Sequence, residues 1–157
     1  MERSGSSMQL TRAADYAVRV MIHLATLPTH ERALLPALAR ATGTPKSFLS
    51  KILQALCRAG FIASQRGKTG GFEILRPGRQ ASIRAVVEAI DGPISLNVCL
   101  LSGAVCNRKT HCPAHPVWVK AQEAMLEALN TATIAELAAQ SDSAPQPKVS
   151  AAKSKPA

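Results

Sequence analysis

A mainly α fold with one small β-hairpin, a winged helix-turn-helix followed by a long C-terminal dimerisation helix, is what this sequence predicts on three observations. Apolar residues recur at helical spacing through most of residues 10–140. That period breaks once, at two short extended runs around the glycine-rich residues 66–71 (RGKTGG). Positive charge gathers at the same place. The chain carries 19 Lys and Arg against 10 Asp and Glu, a formal charge of +9. Within residues 40–80, Arg40, Lys46, Lys51, Arg58, Arg66, Lys68, Arg76 and Arg79 are opposed by Glu73 alone.

The elements follow in order. Residues 1–7 are small and polar and read as a disordered leader. Over residues 10–27 the apolar positions Leu10, Ala14, Ala17, Val18, Met21, Leu24 and Ala25 define a first helix, with Thr11 placed to cap it. Pro36 suits the first turn of a second helix, which ends at Gly43. Thr44 and Pro45 then open a third, whose buried stripe is Phe48, Leu49, Ile52, Leu53 and Leu56. Two helices joined by so short a turn make a helix-turn-helix. Residues 61–65 and 72–75 read as the strands of a wing. Pro77 and Gly78 break the chain, and Ser82 caps a fourth helix that ends at Asp91, Gly92 and Pro93. Residues 94–113 are a loop with at most a short helical turn. Residues 114–130 form the long helix, and Thr133 with Glu136 forms a capping box for a last short one. The organisation expected is a leader (1–7), a DNA-binding module (8–80), a cysteine loop with dimerisation helices (81–140) and a disordered basic tail (141–157).

Composition excludes several function classes. With 46% hydrophobic and 18% charged residues the chain can bury a core and is no disordered polycation. It has neither the roughly eighteen-residue apolar run of a membrane span nor an export signal, so a cytoplasmic protein with no membrane partner is expected. An aromatic content of 3% argues against stacking on single strands. No paired-carboxylate, Ser/His/Asp or phosphate-loop arrangement supports an enzyme.

A recognition helix needs polar and basic side chains toward its N-terminus and along one face. Thr44, Lys46, Ser47, Ser50, Lys51 and Gln54 supply them. At the wing, Arg66 and Lys68 can reach phosphates, while Gly67, Gly70 and Gly71 allow a tight turn against the sugar-phosphate surface. A charged helix face alone is most often only solvated. Charge confined to a helix, helix, basic hairpin sequence points instead to a double-stranded DNA operator.

Four cysteines without an export signal indicate metal or redox chemistry rather than disulfides. Cys99, Cys106 and Cys112 share one loop, with His111 and His115 beside them. Their spacing lacks the Cys-x-x-Cys pair of most structural zinc sites. It leaves three readings open: an iron-sulfur cluster, a zinc ion, or redox-active thiols. A reading of another class is an iron-sulfur electron carrier with a basic docking patch. Cys57 stands apart on the third helix, as a small half-buried thiol.

The opening segment MQLTRAADYAVR, the helix TPKSFLSKILQALCRAGFI, the wing QRGKTGGF and the three-cysteine loop together resemble the IscR/NsrR family of winged-helix regulators, over about residues 8–140. The resemblance implies a homodimeric bacterial transcription regulator, typically a repressor, that senses iron-sulfur status, redox state or nitric oxide. It implies a 2Fe-2S or 4Fe-4S cluster on Cys99, Cys106 and Cys112. The fourth ligand has two family patterns: a histidine three residues after the last cysteine, matched by His115, and an aspartate near the start of the first helix donated by the partner subunit, matched by Asp15. His115 is placed first. The interval between Cys99 and Cys106 is one residue longer than is common in the family.

Overall fold

The structure, a computed structural model, describes residues 10–101, 106–108 and 110–141. The expected leader and nearly all of the expected tail lie outside them.

Helix α1 (Arg12–Thr26) starts at Thr11, whose hydroxyl accepts from Ala14 N at 3.1 Å and donates to the Asp91 carboxylate at 2.7 Å. One side chain thus caps α1 and ties it to the end of a later helix, a contact worth about 1 kcal/mol as a cap. The face Ala14, Ala17, Val20, Met21, Leu24 is fully buried. Leu10 precedes the helix and is exposed, so the stripe begins later than its sequence suggests.

Helix α2 (Leu35–Thr42) ends on Gly43 in the left-handed conformation (φ 66°), which glycine adopts without strain. Helix α3 (Lys46–Arg58) follows and buries Leu49, Ile52, Leu53 and Leu56 against α1. Phe48 departs from the expected stripe. It is 43% exposed and rests edge-on against Tyr16 of α1, ring centroids 5.8 Å apart. It stands at the margin of the apolar sector, where helical spacing decides poorly between core and surface.

Strands β1 (Ile62–Gln65) and β2 (Gly71–Ile74) pair antiparallel, Ile62 opposite Ile74 and Gln65 opposite Gly71. A further rung, on the other edge of β2, was not expected: Ala33, between α1 and α2, exchanges backbone hydrogen bonds with Phe72 at 2.9 and 3.0 Å. That rung explains Gly71, whose φ is 128° and where a Cβ would sit 2.8 Å from Ala33 O.

The chain does not simply break at Pro77 and Gly78. They lie inside a one-turn helix, α4 (Arg76–Gln80). Proline is accepted in a first turn, where its missing N–H has no helical partner. Gly78 is buried where a Cβ would collide with Phe61 O.

Helix α5 (Ile83–Asp91) is capped by Ser82 and buries Val86 and Val87. A single tight helical turn at Val98–Leu100 interrupts the following loop. The long helix α6 (His115–Asn130) has no buried residue. Helix α7 (Ile134–Ser141) carries the expected Thr133–Glu136 capping box, with both reciprocal bonds present (2.7 and 3.2 Å). It returns to α1 and adds Ile134 and Ala138 to the same core as Leu24, Leu53 and Val86. Among the described residues, no helix is long and apolar enough to cross a membrane.

Candidate DNA-binding face and cysteine pocket

The polar face of α3 is open. Lys46, Ser47, Ser50, Lys51 and Gln54 are all exposed, opposite the buried leucines. Arg66 and Lys68 are exposed in the turn between the strands. Between α3 and the wing runs a groove of about 500 Å³, with Ser50, Gln54, Arg58, Gln65 and Arg66 on its polar sides. Arg58 and Gln65 join the face through the fold alone, because strand pairing brings residue 65 beside the helix.

Two expected members of this face serve elsewhere. Thr44 is 2% exposed, and its hydroxyl shares a 2.8 Å hydrogen bond with Thr42, which donates to Leu38 O at 2.7 Å. Its side chain braces the turn, and α3 starts after Pro45 without a side-chain cap. Gly70 is buried, and a Cβ there would collide with Gln65 O and stand 2.8 Å from Gly67 O. Its role is to close the wing turn, through a 3.0 Å bond from its N–H to Gly67 O.

The charge is also partly committed. Arg79 donates to Ala25 O and Leu27 O at 2.9 and 3.1 Å, capping the end of α1. Glu73, the wing's carboxylate, is held by His30 at 2.9 Å and Arg32 at 3.2 Å. Cys57 is half-buried in the groove beside Ser64. Burial pushes its thiol pKa up, with the Ser64 hydrogen bond opposing. It therefore stays protonated at neutral pH, unlike a reactive thiolate.

The second region is assembled by α6. Cys112 O accepts from His115 N at 3.1 Å, so the first turn of α6 begins directly on the last cysteine. Leu96 N donates to Gln122 Oε1 at 3.0 Å, which draws the loop before the helical turn Val98–Leu100 onto α6. Cys99, Cys106, Cys112 and His115 consequently line one cavity of about 490 Å³. All three cysteines are free and half-buried. His115 Nδ1 is buried with no hydrogen-bond partner. A neutral buried ring nitrogen without a partner costs roughly 1 to 3 kcal/mol, so this atom fits a ligand. Among the described residues, no three His, Cys, Asp or Glu side chains already stand close enough to hold one metal ion.

Asp15 lies elsewhere, in the first turn of α1, paired with Arg19 at 2.7 Å. Arg19 also lies over the Tyr16 ring, 5.8 Å from its centroid. Asn97, Val98, Asn107, Arg108 and Trp118 complete the cavity lining and were not singled out in the sequence. Trp118 could have been, since it stands one turn beyond His115 and shares its face.

The sequence profile of the Rrf2 family, described as iron-dependent transcriptional regulator, matches residues 10–140. The chain belongs to the Rrf2 family. Protein aau3 of Rhizobium meliloti is 33% identical over 131 residues, covering 83% of this chain and 84% of that protein. An HTH-type transcriptional regulator of Mycobacterium tuberculosis, MT1325, is 34% identical over 131 residues, covering 83% and 81%. Among solved structures, IscR of T. potens superposes with a TM-score of 0.67 at 21% identity, over 89% of this chain and 93% of that one. CymR, the global cysteine regulator of B. subtilis, gives 0.65 at 21%, over 84% and 97%. These two likenesses carry the fold, a winged helix with a long helix after it. As an Rrf2 protein the chain is a transcriptional regulator and not an enzyme.

Proposed function

We propose that this Rrf2 protein is a homodimeric, cytoplasmic regulator whose grip on a duplex operator is modulated by an iron-sulfur cluster held by Cys99, Cys106, Cys112 and His115. The observation that carries the reading is the single cavity lined by three free thiols and an imidazole whose buried Nδ1 has no partner. Thiolates and one nitrogen are a donor set that iron-sulfur clusters accept. Such a group, when bound, supplies a redox-active and oxidation-labile centre. His115 is favoured over Asp15 because the Asp15 carboxylate is already paired with Arg19.

On the DNA side, Ser47, Ser50, Lys51 and Gln54 face the major groove, and Lys46, Arg66 and Lys68 meet phosphates. The cysteine loop lies between the DNA-binding module and α6. Ordering it around a ligand biases how two copies are set against each other. A differential stabilisation of about 1 to 3 kcal/mol between the two arrangements is enough to switch operator affinity.

Anaerobic purification with visible absorption and iron, sulfide and zinc analysis tests the cofactor. Gel shifts with loaded and cluster-free protein then test the coupling. Brown protein that loses its colour in Cys106→Ala, with changed operator affinity, supports the reading. Stoichiometric zinc without sulfide gives the site to zinc. Cys106→Ala protein that binds the operator as the loaded wild type does removes the sensing role.

A further inference from the structure

We infer that Arg108 sets the electron affinity of the cysteine pocket, holding the reduction potential of the bound iron-sulfur group above the value that its ligands alone would give. The inference rests on the cluster reading just proposed, and it concerns a residue of this chain that is not a ligand.

The lining of the cavity is chemically lopsided. Beside the four candidate ligands it presents the amides of Asn97 and Asn107, the apolar walls of Val98 and Trp118, and the guanidinium of Arg108. Among the described lining residues there is no carboxylate, and Arg108 is the one permanently charged side chain. Elsewhere on the same half of the chain Arg84 pairs with Glu88 at 3.2 Å, and the carboxylate of Glu123 lines a smaller adjoining cavity with Cys99 and His115, outside the lining that holds Arg108. Arg108 has no such pairing among the described residues. Its backbone carbonyl accepts from His111 N at 3.0 Å. In the sequence Arg108 stands between Cys106 and Cys112, and it shares their cavity.

Three thiolates outweigh the positive charge of either cluster core, so the loaded site is anionic. One-electron reduction adds another negative charge, with no bond formed or broken at Arg108. A fixed cation favours the more negative state, which raises the potential; net charge, hydrogen bonds to sulfur and exposure are the usual determinants. Arg108 is exposed, so solvent screens part of this effect.

The test is an anaerobic optical redox titration of the full-length, reconstituted dimer, with dithionite as the electron donor. Wild type, Arg108→Gln, Arg108→Lys and Lys120→Gln are compared at equal iron and sulfide content; Lys120 is an exposed cation on α6 outside the cavity. The expected result is a shift to more negative potential in Arg108→Gln, most of it restored in Arg108→Lys, with Lys120→Gln at the wild-type value. Equal potentials in wild type and Arg108→Gln overturn the inference. So does an equal shift in Lys120→Gln, since the effect would then belong to net charge. Wild-type protein that takes up no cluster overturns the cluster reading itself, and this inference with it.

Discussion

Thr44 and Ser47 are three positions apart, carry the same functional group, and are set to opposite tasks by their burial. The Thr44 hydroxyl is enclosed with Thr42 at the joint of the helix-turn-helix, whereas Ser47 is exposed on the first turn of α3. Thr44→Val keeps the shape and removes one buried hydrogen bond, so it lowers stability by about 1 kcal/mol. Urea unfolding should show the midpoint fall with the slope unchanged, and the folded protein should bind its operator as before. Ser47→Ala should leave the midpoint within about 0.5 kcal/mol of wild type and weaken operator binding several-fold. A Thr44→Val protein of wild-type stability that fails to bind DNA would reverse the assignment. Sequence alone placed both residues on the DNA face, because a hydroxyl beside a proline reads equally well as cap, contact or brace. Phe48 shows the converse. Its apolar side chain reads as core, yet Tyr16 supports it at the surface.

At the scale of elements, what could be read from the sequence was whatever depends on neighbours in the chain. The end of α2 at Gly43, the cap of α5 at Ser82 and the Thr133–Glu136 box are all local and all present. The last of these carries a pH signature. The Glu136 carboxylate accepts from Thr133 N and Thr133 Oγ1, and these bonds hold its pKa below the usual carboxylate range. The folded chain therefore binds this proton more weakly than the unfolded chain does. The contribution is fully present above the unfolded value, about 4.3, and is lost as pH falls through the lower folded value. Glu136→Gln should flatten this part of the acid limb of stability between about pH 5 and 3, and Thr133→Ala should cost about 1 kcal/mol at neutral pH. Thermal melts across that range check both. Features that rest on distant pairing were not legible: the Ala33–Phe72 rung, the entry of Gln65 into the groove, and the shared cavity of Cys99 and His115. The resemblance pointed to Cys99, Cys106, Cys112 and His115 as candidate ligands but not to their common pocket, which depends on Leu96 docking on Gln122. Helix α4 was missed because Pro77 reads as a breaker, although in a first turn it breaks nothing.

For the molecule as a whole, the decisive feature is that α6, among the described residues, packs only along one side, against α5 and the turn Val98–Leu100, and leaves the rest of its surface open. Sixteen residues, about 24 Å of helix, have no buried side chain, and Val117 is 65% exposed beside Trp118. In the homodimer proposed above, a second copy would cover this face and unite it with the charge asymmetry, because two α6 helices packed on a two-fold axis would carry two basic modules onto one duplex. Val117→Glu places a carboxylate in that face and should give a folded monomer by sedimentation equilibrium. The same variant separates the two scales of DNA binding. With the three phosphate contacts proposed for each protomer, from Lys46, Arg66 and Lys68, the logarithm of affinity falls with the logarithm of salt with a slope of about −3 for each module, and the dimer shows about twice that. Anisotropy titrations on an operator selected from random duplexes should therefore find the slope of Val117→Glu near half the wild-type value. The double variant Arg66→Gln, Lys68→Gln, still dimeric, should lose about 2 units of slope per protomer with its sequence preference intact, because phosphate contacts position the protein and base contacts specify the site. An unchanged slope in the double variant would take the wing off the DNA and leave its charge as a solvated turn.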